Sequence, residues 1–378
     1  MFKFTLNSTD ITGTRLGRLK INGYDNDIVT PTRAMNAVDF KHVSELQQAG
    51  IMKYGLEEIP NRIIEVSPPF WNKKLATLEN GPATIKNVDN LFTYTLDQTR
   101  APIFAPTFAR DARITSKQNQ TLLDLQEQAG FKALTIIDDP HSNANVLGDR
   151  LAKSSEQIDQ YSDQLGRLVQ LDLNIGRTDL LDKIDKSISS QIDGFIFKYA
   201  SLEAKTENYA AIAEMLGNKN LFLHLSGVRK SFRAKSMKAS IYLPQMMPLF
   251  GFDSIGLYSV GFGNPEGPIV FGRAKRFDAK TYRYSPIEKI YKSPSVPMNC
   301  SCPVDKEVTY KEFMAMNRMN DTIKHANSIH DLVSNYREFQ LEALKIANGS
   351  LFNMLQTKEY ARQFIAVYGN RKTKNTLA

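Results

Sequence analysis

The sequence is poor in several residue types, and each scarcity excludes a class of protein. Its 378 residues include only two cysteines, which excludes a disulfide scaffold and suits a reducing compartment. No apolar run approaches the ~18 residues that a membrane-spanning helix needs, and the first residues become polar too early for a signal peptide. We therefore expect a cytoplasmic protein, in the host cytoplasm if the source is viral.

The overall composition is that of a folded protein with a modest excess of positive charge. Hydrophobic residues make up 42 % and charged residues 23 % of the chain, which excludes a disordered chain. The 48 Lys+Arg against 40 Asp+Glu give a net charge of +8. Many soluble proteins carry such a charge, and it also suits a nucleic-acid partner. The length fits one large α/β barrel with additions, or two smaller domains.

Residues 100–262 repeat one pattern, a short apolar run followed by a longer segment of helical character. This alternation predicts parallel strands that are covered on both faces. The runs lie at 101–108, 133–139, 168–174, 194–200, 221–227 and 254–260. Two further candidates upstream, 27–30 and 62–66, raise the number of strands to eight. That number favours a (β/α)8 TIM barrel over a doubly wound sheet.

The two ends of the chain differ from this repeat. Residues 1–25 predict a small β-layer that caps the barrel, so we expect residues 1–263 to form this layer and the barrel core. Residues 264–300 are basic and rich in Tyr and Pro, and helices follow after Cys302. We expect residues 264–378 to form a basic loop, a cysteine-containing knuckle and C-terminal helices packed on the barrel.

The knuckle contains a candidate metal site. Cys300, Cys302, Asp305 and His330 offer two thiolates, a carboxylate and an imidazole, which together complete a closed tetrahedral zinc shell. Three ligands lie on one loop, and the fourth belongs to the start of a helix near His330. His325 is a competing ligand, and the alternative is two surface cysteines near an unrelated histidine. A closed shell makes Zn²⁺ a structural ion.

Carboxylates and amides follow several of the apolar runs. In a barrel the chemistry lies where strands end and loops begin, and the candidates are Asp111, Asp138, Asp139, Asp172 with Asn174, and Asp253, which stands at the start of the last run. Adjacent Asp138 and Asp139 cannot both point inward if the strand alternation continues. Such carboxylates can attack a sugar C1′ or recognise the N–H edge of a purine. The alternative for any one of them is a helix N-cap.

Several motifs occur in a fixed order along the chain. They are R-x-G-x-L at 15–19, T-P-T at 30–32, a helix at 118–130 followed by I-I-D-D-P at 136–140, L-H-L-S-G-V at 223–228, G-F-D at 251–253, and C-x-C-x-x-D with the later His330. In this order they resemble the tRNA-guanine transglycosylase superfamily over almost the whole length. Asp305 stands where that family has a third cysteine.

The resemblance implies an activity and a set of site residues. It implies exchange of a guanine for another base through a covalent aspartyl–nucleic acid intermediate, with Asp138, Asp139, Asn174 and Gly227 binding the base. The family's D-S-G-G-F-Q loop is absent, and residues 104–111, ending in Asp111, take its place. An ungapped reading puts Gly256 at the nucleophile position and leaves only Asp253. Either Asp253 or Asp111 is then the nucleophile, or the chain is a non-catalytic relative.

These departures, the basic composition and the apparent lack of a tRNA-binding module resemble the DNA branch of the superfamily, found in phages and bacterial modification clusters. That branch inserts 7-deazaguanines such as 7-cyano-7-deazaguanine into DNA. The residues expected to bind nucleic acid are Arg273, Lys275, Arg276, Lys280 and Arg283, with Lys292, Arg229, Lys230, Arg233 and Lys235 as an extension. A solvated loop is the alternative for the first five. Three functions remain: a DNA transglycosylase, a tRNA transglycosylase, and a non-catalytic nucleic-acid-binding subunit. A homodimer is a further expectation.

Overall fold

A sheet of six parallel strands is the centre of the structure. The computed structural model describes residues 2–22, 27–35, 62–64, 102–106, 113–258, 275–286 and 321–369, with 62–64, 276 and 321–333 described by their backbone alone. The strands of this sheet are β4 (Thr32–Ala34), β7 (Ala133–Ile137), β8 (Gly166–Asp172), β9 (Gly194–Lys198), β10 (Phe222–Val228) and β13 (Ser254–Leu257). Their order across the sheet is β4-β13-β10-β9-β8-β7.

Helices follow the strands as the sequence predicts. They are α1 (Ser116–Gln128), α2 (Ala144–Tyr161), α3 (Arg177–Ser189) and α4 (Thr206–Leu216). A capping box between Thr115 and Gln118 begins α1, because side chains there satisfy backbone N–H groups that have no partner within the helix. Gly130, at φ +80°, follows its end. The predicted alternation of parallel strands and helices is confirmed.

Two more strands form a separate parallel pair. They are β5 (Arg62–Ile64) and β6 (Pro102–Phe104), in register from Arg62 opposite Pro102. The amide of Gln170 on β8 donates to the carbonyl of Pro106, 2.9 Å away, just beyond β6. Within the described ranges the strand ladders form one six-stranded and one two-stranded parallel sheet. Barrel closure therefore stays a prediction.

A three-stranded antiparallel layer covers the amino ends of the parallel strands. It consists of β1 (Phe2–Thr9), β2 (Arg15–Ile21) and β3 (Ile28–Thr30). Phe2 and Phe4 lie against Phe222, the first residue of β10, with ring centroids 6.0 Å apart in both pairs. The same core contains Ala133, Leu168 and Ile196, which lie on one face of the parallel sheet. This is the β-layer that the sequence predicts.

Strands from residues before 263 and after 264 form one antiparallel sheet. A four-stranded antiparallel sheet has the order β11-β12-β15-β14, with β11 (Ser231–Phe232), β12 (Ile241–Tyr242), β14 (Lys275–Asp278) and β15 (Arg283–Pro286). A 3-10 helix (Leu243–Phe250) follows β12. The predicted parts 1–263 and 264–378 are therefore joined by hydrogen bonds between β12 and β15.

Three helices end the described chain: α5 (Asp321–Ala347), α6 (Leu351–Thr357) and α7 (Glu359–Tyr368). The hydroxyl of Tyr336 on α5 donates to the carbonyl of Arg33 on β4 at 2.8 Å. The buried hydroxyl of Tyr282 lies 2.8 Å from a Glu338 carboxylate oxygen and 2.7 Å from one of Glu342. Because a phenol has one proton, a second proton belongs on this pair of carboxyls. Burial accordingly raises the pKa of Glu342 to about 8.

Among the described residues, no helix is both long enough and apolar enough to cross a membrane.

Candidate active site at the carboxyl edge of the parallel sheet

Polar side chains collect where the parallel strands end. Asp138 and Asp139 follow β7, Asp172 ends β8, and Lys198 ends β9. Asp172 is paired in register with Lys198, which is paired with Ser226. Directly paired residues of a sheet point to the same face, so these three side chains share one. This is the edge at which parallel α/β proteins hold their ligands.

Asp138 points to the helical side and is held in a buried ion pair. Lys183 Nζ on α3 lies 2.6 Å from Asp138 Oδ2, and both side chains are at most 1 % exposed. The same ammonium donates to the carbonyl of Asp139 at 3.0 Å. Burial raises the pKa of Asp138 to about 6, although Lys183 and then Arg150 act to lower it. This carboxylate anchors α3 to the strand end and is not turned toward a ligand.

Asp139 is the member of the pair that faces the other way. Ile137 is paired with Gln170, and continued alternation puts Asp139 on their face. Its side chain is mostly buried, and Oδ1 accepts the backbone N–H of His141 at 2.9 Å. No ion pair within the described residues engages it. The two aspartates therefore do not both point to the same face, as strand alternation predicts.

Asp172 and Asn174 form a small turn at the end of β8. Asp172 Oδ1 accepts both the backbone N–H and the side-chain amide of Asn174, each at 2.8 Å. The amide of Asn208 on α4 donates to the carbonyls of Leu173 and Ile175 and fixes the turn from behind. Asn174 itself is exposed. The structure therefore brings these two predicted residues together, with Asn174 orienting the carboxylate.

Gly227 lies in an irregularity near the end of β10. The pairing of β10 with β13 shifts register between Leu225 and Val228, and Gly227 has a φ of +78°. Glycine adopts this conformation at little cost, whereas a side chain is strained there. Among the described residues, no atom lies within 4 Å of the position that a Cβ would occupy.

The sequence analysis did not predict three polar residues near the carboxyl edge of the parallel sheet. Lys183 lies at an apolar-stripe position of α3, between buried Leu180 and Ile184, and a charge within such a stripe is a detectable signal. Gln170 and Lys198 are polar residues within apolar strands, which is a weaker signal. Gln170 is buried, and its Oε1 has no hydrogen-bond partner among the residues that the structure describes.

Asp253 lies at the opposite edge of the sheet, where its contacts stabilise the fold. It precedes β13 and so lies at the amino edge, about 13 Å from the carboxyl end at ~3.3 Å per residue. It is fully buried; Oδ2 accepts the N–H of Leu223 at 2.8 Å, and Oδ1 lies 3.5 Å from Arg15 Nε. Burial raises its pKa to about 7. Asp253 is thus separated from the other candidate residues, and we do not retain it as the nucleophile.

The structure describes few of the residues that were predicted to bind metal or to act as the nucleophile. Asp111, Cys300, Cys302 and Asp305 lie outside the described residues. His330 belongs to α5, which begins at Asp321, so it lies within this helix and not at its start. Among the described residues, no group of metal-binding side chains occurs. The zinc site therefore stays a prediction.

The residues predicted to bind nucleic acid differ in exposure, and the structure describes only some of their side chains. Lys275 and Lys280 are exposed on the β14–β15 hairpin, while Arg273 lies outside the described residues and Arg276 is described by its backbone only. Arg283 is half-buried; its Nε donates to Ser285 Oγ at 2.6 Å and its guanidinium lies 6.0 Å from the centre of the Tyr360 ring. Arg283 therefore contributes to packing between the hairpin and α7.

A comparison with protein-family models gives no match, and no curated protein matches the sequence.

Proposed function

We propose that this chain exchanges guanine for a 7-deazaguanine base in DNA, on a (β/α)8 barrel. The observation that carries the proposal is the gathering of Asp139, Asp172 and Gly227 at one edge of the parallel sheet. Support for the barrel comes from the parallel pair β5 and β6, which falls in the chain between β4 and β7, the two outer strands of the six-stranded sheet. Eight parallel strands in chain order then complete a closed sheet.

The described residues suit recognition of a purine. Asp139 can accept hydrogen bonds from the N–H edge of a guanine-like base, and the Gln170 amide lies on the same face two strand positions deeper. Gly227 has no side chain to block a flat ring, and none of the described atoms lies within 4 Å of its Cβ position. The target nucleotide must leave its stack to reach this edge.

The exchange consists of two displacements at C1′ of the target nucleotide. An aspartate, for which Asp111 is the candidate, attacks C1′; a C1′–O bond forms as the C1′–N9 bond breaks. The departing guanine takes up a proton from a second carboxyl group, for which Asp172 is a candidate. The incoming base gives its N9 proton back to this carboxylate and forms the new C1′–N9 bond as the C1′–O bond to the aspartate breaks. Carboxylates stabilise the oxocarbenium-like transition state of both steps.

Zinc has a structural place in this proposal. The two thiolates, carboxylate and imidazole of Cys300, Cys302, Asp305 and His330 are a donor set that suits zinc. His330 lies on α5, which reaches β4 through the hydrogen bond of Tyr336 to Arg33. A bound ion would fix the knuckle to this helix and supply no chemistry to the exchange.

A second candidate function is a non-catalytic nucleic-acid-binding subunit. It is favoured by two observations on β13: the position matching the family's nucleophile is Gly256, and Asp253 is buried at the opposite edge. If Asp111 does not supply the nucleophile, the edge can still bind a flipped base.

A covalent adduct separates these functions. The full-length protein is incubated with end-labelled single-stranded DNA, duplex DNA or tRNA and run on a denaturing gel. We expect a DNA adduct from the wild type, and none from Asp111→Ala. Asp139→Ala should need a higher base concentration for release, while the exposed control Asp185→Asn should behave as wild type.

The other outcomes are equally informative. An adduct with tRNA alone contradicts the choice of DNA, which rests on the departures of the sequence from the family pattern. Absence of an adduct with every substrate contradicts catalysis. Persistent DNA binding in that case, lost in Asp139→Ala, supports the binding subunit.

A further inference from the structure

The connection between β10 and β12 carries an unusual charge. Residues 229–238 hold five basic side chains and no acidic one: Arg229, Lys230, Arg233, Lys235 and Lys238. We call residues 229–238 the basic segment. It leaves β10 directly after Val228 and therefore begins at the carboxyl edge of the parallel sheet, beside the candidate site.

The basic segment is held in one conformation by buried anchors. Ala234 and Met237 are buried, and Arg233 Nε donates to the Met237 carbonyl at 3.1 Å. Ser231 and Phe232 pair with β12, and the Phe232 ring lies 5.7 Å from that of Tyr368 on α7. A fixed backbone loses less entropy on binding. The segment thus presents its charges from a preorganised scaffold.

Its basic side chains face outward. Arg233, Lys235 and Lys238 are exposed, as is Arg229. The charge of Arg229 opposes the burial-driven rise in the pKa of Tyr199, which places this guanidinium near the end of β9. The segment therefore extends positive charge from the edge of the sheet outward.

An exposed aromatic ring begins the same surface. Tyr258 directly follows β13 and is 54 % exposed, and its N–H donates to the carbonyl of Val228 at 2.9 Å. This bond places Tyr258 next to the first residue of the basic segment. Large exposed aromatic side chains beside phosphate-binding cations are the common elements of single-strand binding surfaces, where bases stack and phosphates follow a charged track.

We propose that Tyr258 and the basic segment bind an unpaired stretch of nucleic acid, with a base stacked on Tyr258 and phosphates held by Arg233, Lys235 and Lys238. The proposal rests on the proposed function, since it places the strand that flanks the reacting nucleotide. It goes beyond that function by naming the strandedness of the substrate and the surface that selects it. A duplex keeps its bases paired and offers no face to Tyr258.

Fluorescence anisotropy with labelled single-stranded DNA, and with the same strand annealed to its complement, tests the proposal. The full-length wild type is compared with Tyr258→Leu, with Lys235→Gln/Lys238→Gln, and with the control Lys3→Gln/Lys20→Gln. The control removes the same charge from two exposed, paired positions of the amino-edge layer.

Each variant has its own expected signature. The wild type binds the single strand more tightly than the duplex. Tyr258→Leu weakens single-strand binding about tenfold at every salt concentration, because one stacked base is lost. Lys235→Gln/Lys238→Gln makes the slope of log K against log salt shallower by about 1.4 between roughly 50 and 200 mM, from two phosphate contacts of ~0.7 each. The control changes neither quantity.

The contrary results distinguish this inference from the function on which it rests. A wild type that binds DNA, with both surface variants unchanged, overturns the inference and leaves the transglycosylase proposal intact. Tighter binding of the duplex overturns the single-strand assignment. A wild type that binds neither form of DNA overturns the proposed function and the inference together.

Discussion

Replacement of Asp253 tests whether this residue stabilises the fold, as its burial indicates, or is the nucleophile, as its motif suggests. Asp253→Ala leaves the Leu223 N–H without its acceptor and the Arg15 guanidinium without its carboxylate, in a fully buried place. An orphaned buried donor costs about 1–3 kcal/mol, and breaking a buried ion pair costs about 3–5 kcal/mol in all. We therefore expect the free energy of unfolding to fall by about 3–5 kcal/mol.

Asp253→Asn should cost less, because its amide oxygen still accepts from Leu223. Equilibrium urea unfolding followed by circular dichroism measures both variants. The control is Asp159→Ala, which removes the partly exposed ion pair with Arg167 and should cost under about 1 kcal/mol. Folded Asp253→Asn should also still form the DNA adduct. If it folds with wild-type stability and forms no adduct, Asp253 is the nucleophile and the reasoning from its burial is refuted.

The other predictions concern the buried charges and Gly227. Burial raises the pKa values of Asp138, Asp253 and Glu342 to about 6, 7 and 8; the folded state then binds more protons, so stability should fall as pH rises from about 4 to 8. Glu342→Gln should flatten the upper part of the curve of unfolding free energy against pH, measured by urea unfolding. An unchanged curve contradicts the presence of a proton on the Glu338–Glu342 pair. Lys183→Met should lower the free energy of unfolding by about 3 kcal/mol, with part regained on adding Asp138→Asn; additive losses would exclude their coupling. Gly227→Ala should cost about 1–2 kcal/mol for its positive φ and weaken base binding, measured by calorimetry with 7-cyano-7-deazaguanine; equal affinity argues against a base at this backbone.

Local periodicity predicts the parallel sheet well. Strands 133–137, 166–172, 194–198 and 222–228 all fall in or near the apolar runs read from the sequence. The opposite orientation of Asp138 and Asp139 follows from strand alternation alone. These features depend on neighbouring residues, and such information is present in a single sequence.

The features that the sequence did not reveal depend on distant partners or on weak patterns. Asp253 resembles a motif residue, but its partner Arg15 is far along the chain, and local periodicity does not reveal this contact. Lys183 finds its carboxylate 45 residues away. α5 begins at Asp321, well before the helix start expected near His330. Its first turns are largely polar and carry little periodic signal.

The contacts of Arg15 with distant residues have a consequence for folding during synthesis of the protein. Its guanidinium donates to the carbonyls of Lys219 and Leu221, the latter 206 residues later in the chain. At translation rates of ~5–20 residues per second, the amino-terminal strands wait roughly 10–40 s for these partners to be made. During that time Phe2 and Phe4 lack Phe222, and the β1–β3 ribbon has an uncovered apolar face. The apolar face of this ribbon can therefore be covered by β10 only after β10 has emerged from the ribosome.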